Sequence, residues 1–197
     1  MTRLIILNLI WILFASCSGG DKKEVYNPKA IELNDKAVAQ MQKFNYDSAL
    51  ILFDKAIEID KTYYLPHSSK TTIFIQKKEL DKALVESEKV IKIKPDFAEG
   101  WTIAGMINDK LGNTQTAMEY YKKSVELFDR KIADPELKTK VLSNKLNRAF
   151  SLILLGQESE AKEEMKKLKV EKPDDKTIDE LLKLSKQEYM NQMFKNE

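Results

Sequence analysis

Cysteine and histidine each occur once in 197 residues, and that scarcity removes most of the chemistry a chain of this size could host. A lone Cys17 cannot close an intrachain disulfide or build a thiolate metal site. A lone His67 leaves no second imidazole for a metal cage and no nucleophile–base pair. Glycines number six, and Gly100, Gly105 and Gly112 are scattered, so no phosphate-cradling loop exists. Excess charge is missing too: 33 basic residues face 31 acidic ones, which excludes the basic field that nucleic-acid binding needs. Lys166, Lys167 and Lys169 interleave with Glu163, Glu164 and Glu171 at helical spacing, the pattern of a solvated, internally paired face. Asp174, Asp175, Asp179 and Glu180 form the densest acidic group, but they flank a helix start, where acids favour the helix dipole. Neither an enzyme, nor a metal site, nor a cofactor, nor a small-molecule substrate is expected.

Long apolar runs are also absent. The longest, Leu4 to Phe14, is broken by Asn8 and is shorter than the roughly 20 residues a spanning helix requires. Arg3 precedes it and Leu13-Phe14-Ala15-Ser16-Cys17 ends it, the order of a secretory signal. With small residues ahead of the only cysteine, the segment resembles a bacterial lipoprotein signal, with Phe14 where an aliphatic residue is usual. That resemblance implies cleavage of residues 1–16 and acylation of Cys17, whose several lipid chains give stable membrane attachment. The competing readings are an ordinary secretory signal and an uncleaved anchor helix. Ser18 lacks the acidic character associated with inner-membrane retention in enteric bacteria, so the resemblance points to the outer membrane, on its periplasmic or surface face. Ser18 to Asn27 is polar and reads, with Cys17, as a tether over residues 17–27.

What the chain does have is a clock. Ala49, Ala83 and Ala117 stand 34 residues apart. Twelve residues before each lie the small residues Ala37, Thr71 and Gly105, and four after each lie Phe53, Ser87 and Tyr121. Ala161 restarts the pattern after a ten-residue insertion, with Ala149 in the small position and Met165 and Leu168 in the later apolar ones. Pro95 and Pro173 each fall twelve beyond their alanine, and Gly112 and Gly156 each sit five before theirs, marking turns within helix pairs. A fixed period of this length means stacked helix pairs, none able to bury its apolar face alone. The units are placed at about 30–63, 64–97, 98–131 and 142–175, within a folded part spanning 28–197.

These units resemble tetratricopeptide repeats, best in the third, where Trp101, Gly105, Gly112, Ala117 and Tyr121 follow the family pattern. Lys36, Lys70 and Arg148 depart from it, standing where leucine is usual. The resemblance implies an all-α fold: a right-handed superhelical solenoid of about four helix pairs plus a C-terminal capping helix. Thr177 to Phe194 supplies the cap helix, with Ile178, Leu181, Leu182, Tyr189 and Met193 on one side. Asp134 as N-cap and Pro135 at the first helical position start a helix expected to run to about Leu155 and to project beyond the stack. His67 falls where neighbouring units place Leu33 and Trp101 and reads as a packed structural residue.

In the resembled family the first helix of each pair lines a concave groove. Carried onto this chain, the groove presents Val38 and Met41, then Leu65 and Ile75, then Met106, and finally Leu146, Phe150 and Ile153. The last three are either groove floor or core packed beneath the cap. Ile31, Asn34, Ser68, Thr72, Glu99, Thr102, Asp109 and Ser143 complete the mapped positions. Asn34 and Val38 occupy the first-unit places where some repeats clamp a terminal carboxylate, and no lysine completes such a clamp. The resemblance therefore implies an adaptor or assembly scaffold of the bacterial envelope, lipid-anchored and binding another envelope protein or peptide. A self-associating structural lipoprotein and a chaperone-like carrier of envelope proteins are the alternatives.

Overall fold

The computed structural model describes residues 25–183 and 185–194; the signal segment, Cys17 and most of the tether lie outside the described residues. Among them every regular element is helical. Four antiparallel pairs follow one another: α1 (Pro28–Gln42) with α2 (Tyr46–Ile59), α3 (Leu65–Gln76) with α4 (Leu80–Ile93), α5 (Ala98–Lys110) with α6 (Thr114–Ala133), and α7 (Val141–Leu155) with α8 (Glu158–Glu171). Two short helices, α9 (Lys176–Lys183) and α10 (Lys186–Met193), close the C-terminal end. No described helix is long and apolar enough to cross a membrane.

The start of the stack is capped from its own sequence. The Asn27 side chain accepts from the Lys29 N–H at 2.9 Å, and Pro28 takes the first helical position. The Asn27 N–H donates to the Asp60 carboxylate at 2.9 Å, fastening the beginning of the first pair to its end.

The recurring alanines are where the helices of a pair meet. Ala49, Ala83, Ala117 and Ala161 are all buried, as are the opposing Ala37, Thr71, Gly105 and Ala149. Gly105 shows why size matters there, because a Cβ on it would lie 2.6 Å from the Tyr121 ring. The aromatic ring takes the space that the missing side chain leaves.

The four intrapair turns share one hydrogen-bond pattern. Phe44 N–H reaches Met41 O and Asn45 N–H reaches Gln40 O; the same two bonds recur at Lys78 and Glu79, at Gly112 and Asn113, and at Gly156 and Gln157. This is a Schellman end, which requires a left-handed residue. Gly112 (φ 88°) and Gly156 (φ 89°) adopt it freely, whereas Phe44 (φ 62°) and Lys78 (φ 61°) do so against their Cβ.

Two elements differ from the sequence reading. The insertion does not lengthen the first helix of the fourth pair. Asp134 does cap a helical start, accepting from Glu136 N–H at 2.9 Å, but what begins there is a 3₁₀ turn, Pro135–Lys140. Leu137 leaves helical geometry (φ −98°, ψ 21°) to bury its side chain, and α7 begins afresh at Val141. The extra turns belong to α6, 20 residues long. The cap over 177–194 is not one helix either. The Ser185 hydroxyl accepts from Glu188 N–H while the Glu188 carboxylate accepts from Ser185 N–H, and this capping box starts α10 anew.

Two substitutions test this geometry by thermal melting. Phe44→Gly relieves a left-handed aromatic that is 78% exposed and should raise stability by about 0.5–1 kcal/mol, Gly's own entropy cost included. Gly105→Ala forces Tyr121 aside and should lower it by about 1–3 kcal/mol.

Candidate partner-binding face

Besides packing in pairs, α1 touches α3 and α5 touches α7. The first helices thus meet within the first two pairs and within the last two, Ile75 of the second pair shares an apolar cluster with Met106 of the third, and the mapped groove positions lie on these helices. Their exposure falls along the stack. In the first pair Ile31 is 37% exposed, and Val38 and Met41 are half-buried against Ala37, Ala49, Phe53 and Ile73. Leu65 in the second pair is half-buried beside Tyr26, and Ile75 is buried. Met106 in the third pair and Leu146, Phe150 and Ile153 in the fourth are core residues. These four, like Ile75, are buried here, and of the two readings open for Leu146, Phe150 and Ile153 this arrangement fits core packed beneath the cap.

The cap explains the change. Ile178, Leu181, Tyr189 and Phe194 belong to the same apolar cluster as Met106, Leu146, Phe150 and Ile153, with Leu182, Met190 and Met193 packed against it. The Tyr189 ring meets Phe150 edge-on, centroids 4.3 Å apart, a favourable aromatic geometry. Lys186 Nζ reaches the Asp109 carboxylate at 2.7 Å, and Lys110 Nζ stands over the Phe194 ring. Burial pushes the Tyr189 phenol above its usual range.

Beneath this face runs a seam of small hydroxyls. Thr102 Oγ1 lies 2.7 Å from Ser124 Oγ and 3.1 Å from Ser151 Oγ, and the two serines are 3.1 Å apart. All three are buried, so the seam joins the third and fourth pairs with polar groups that satisfy one another.

The residues that break the repeat pattern carry a second set of links. Lys70, buried where leucine is usual, reaches Asp54 on α2 at 2.6 Å and Glu86 on α4 at 3.1 Å. Arg148 on α7 does the same two junctions later, reaching Asp129 on α6 at 2.5 Å and Glu164 and Glu160 on α8 at 2.7 and 3.3 Å. Each cation ties its own pair to the one before. Among the described residues Lys36 pairs with Glu32 on its own helix, in the first of the described pairs. The sequence signal was present, a lone cation in an apolar slot with acids on the flanking second helices, but spacing alone does not show which acids meet it.

His67 joins the first of these networks. It is buried, and its Nδ1–H donates to Glu86 Oε2 at 2.5 Å. Burial alone would raise the Glu86 carboxyl, but His67, Lys89 and Lys70 outweigh it and hold the group down at about 2. Burial alone would likewise lower the Lys70 ammonium, yet Asp54 and Glu86 keep it above its usual range. Among the described residues no group of three or more His, Cys, Asp or Glu is placed to hold a metal.

The tetratricopeptide repeat family matches residues 29–63 and 98–129. Heat shock protein STI1 of Saccharomyces cerevisiae is 30% identical over 99 residues, covering 50% of this chain and 17% of that protein. The heat shock protein sti1 homolog of Schizosaccharomyces pombe is 29% identical over 97 residues, covering 49% and 16%. The chain thus spans about a sixth of the length of these relatives. Among solved structures, the first repeat domain of Spaghetti bound to an HSP90 peptide aligns with a TM-score of 0.49 at 16% identity, covering 62% of this chain and 94% of that one. A MamA double mutant aligns with a TM-score of 0.49 at 18% identity, covering 77% and 74%. Both likenesses are of fold.

Removing the Glu86 charge tests the electrostatic links. The lowered carboxyl contributes stability that is complete above the model-peptide value of 4.5 and is lost as the pH falls toward about 2. Glu86→Gln should therefore cost about 1.5–3 kcal/mol at pH 7 in urea melts and show a flatter decline than the parent between those limits.

Proposed function

We propose that this chain is a lipid-anchored docking protein of a bacterial cell envelope, held through Cys17 and presenting the first-helix face of its leading pairs to another envelope protein. The observation that carries the docking half is the gradient of exposure. Ile31, Val38, Met41 and Leu65 keep solvent-facing apolar surface at one end of a face whose other end is closed. A half-buried apolar row on a stiff helical wall fits an extended apolar peptide or the apolar side of a helix. The repeat match supports a protein partner, since stacks of this kind expose broad surfaces to other chains. The anchor half rests on the signal-like residues 1–16 and the lone cysteine that follows them.

Each half has its own test. Metabolic labelling with a palmitate analogue should mark the parent chain and not Cys17→Ser, and the variant should leave the membrane fraction; an unlabelled parent contradicts the anchor. For docking, a photoreactive residue replacing Met41 is compared in cells with one replacing Val170, which is 84% exposed on the second helix of the fourth pair. A discrete adduct at position 41 and not at 170 supports the docking face. Equal smears at both sites point instead to a carrier of many chains, and no adduct at 41 contradicts the proposal.

A further inference from the structure

We infer that α10 is a displaceable occupant of the first-helix face, and that the seat beneath it takes an amphipathic partner helix bearing a cation one turn ahead of an aromatic–methionine pair. The inference rests on the reading that this face docks proteins, and extends it to the half that is closed.

The seat has three separate points of recognition. An acid, Asp109, receives Lys186 Nζ at 2.7 Å, and the same ammonium stands 5.4 Å from the centre of the Tyr121 ring. An apolar floor, Phe150 with its neighbours Leu146 and Ile153, receives Tyr189. At the far end Lys110 stands over the ring of Phe194. The occupant's chemistry is thus written in α10: a lysine, then Tyr189 and Met190 a turn later, then Met193 and Phe194 after another. Asp109, paired with Lys186, and Lys110, over the Phe194 ring, mark the two ends of the occupant.

The occupant is built to leave. Eight residues cannot hold a helix in water by themselves, so α10 depends on its seat and can melt when it departs. Its capping box starts it independently of α9, so release need not disturb the covering of Ile178 and Leu181. The seat is also imperfectly filled. The Tyr189 hydroxyl is buried and finds no hydrogen-bond partner among the described residues. A competing helix with phenylalanine there would leave no such hydroxyl unpaired and would be the better ligand. Outside its seat the whole chain still carries the pairs, because the links at Lys70, Arg148 and the hydroxyl seam involve no residue of α10.

The test uses the full chain with Cys17→Ser and a fluorescent peptide of residues 184–197 as probe. In native-state hydrogen exchange, the α10 amides should open at least about a hundredfold more readily than those of α7. The peptide should bind the Tyr189→Ala chain with a micromolar Kd and the parent at least about tenfold more weakly, because the parent's own helix competes. A Lys186→Glu peptide should lose that binding. Exchange of α10 in step with α7 would overturn the inference, whatever the variant does. So would a Tyr189→Ala chain that keeps its helical circular dichroism and ignores the peptide. Dimerisation of that variant by light scattering would assign the seat to a second copy and overturn the partner reading. None of these outcomes touches crosslinking at position 41, so failure here and failure of the docking reading are told apart.

Discussion

A pair of helices in this chain has one apolar face too many to bury within itself, and the rest of the structure follows from that constraint. Each pair solves it by presenting the surplus face to the next, which requires the helices to approach at fixed places. Gly105 is small because the Tyr121 ring comes up against its helix, and Ala37 and Ala149 share apolar clusters with Phe53 and Met165. Behind the fourth pair, among the described residues, no further pair of this kind follows, and two short helices meet its surplus face. Here α9 and α10 take it, through Ile178, Leu181, Tyr189 and Phe194. The covering does more than shield an end, because it reaches across to Asp109 and Lys110 on the third pair.

Polar and charged groups sharpen what apolar stacking leaves loose. Alanine against an aromatic tolerates small slides, whereas a guanidinium held by three carboxylates does not. Arg148, through Asp129, fixes the fourth pair on the third, and Lys70, through Asp54, fixes the second on the first. Buried ion pairs contribute little net stability relative to well-packed apolar residues, but breaking one is costly. Their value here is register: each cation meets its acids at a single setting of neighbouring pairs. The hydroxyl seam of Thr102, Ser124 and Ser151 sets the same register from inside the core.

The pairs were legible in the sequence because the spacing of Ala49, Ala83 and Ala117 encodes a distance that any side chain would violate. The turn glycines Gly112 and Gly156 were legible for the same reason, while Phe44 and Lys78 hid the equivalent turns behind residues that rarely adopt left-handed backbone. The placing of the insertion was not legible, since Asp134 and Pro135 announce a helical start whether an α-helix or a 3₁₀ turn follows, and the burial of Leu137 decides it. Ser185 and Glu188 did carry the signature of a new helix, overshadowed by the apolar spacing that runs through both halves of the cap. Whether Leu146, Phe150 and Ile153 face a ligand or a core could not be read at all. An inward stripe has the same periodicity whichever chain covers it.

The leading and trailing halves of one face are therefore in different states, open at Val38 and Met41 and closed at Leu146 and Phe150. Any docking function depends on that difference. Thiol alkylation measures it directly, since replacing Cys17 by serine leaves the chain without cysteine. Single cysteines are placed at Val38 and at Leu146 in that background, and each alkylation rate is compared with the rate in denaturant. The expected result is a Val38→Cys rate within about tenfold of the denatured value and a Leu146→Cys rate suppressed by about a hundredfold or more, as burial beneath a covering element demands. Equal rates at the two positions would contradict it.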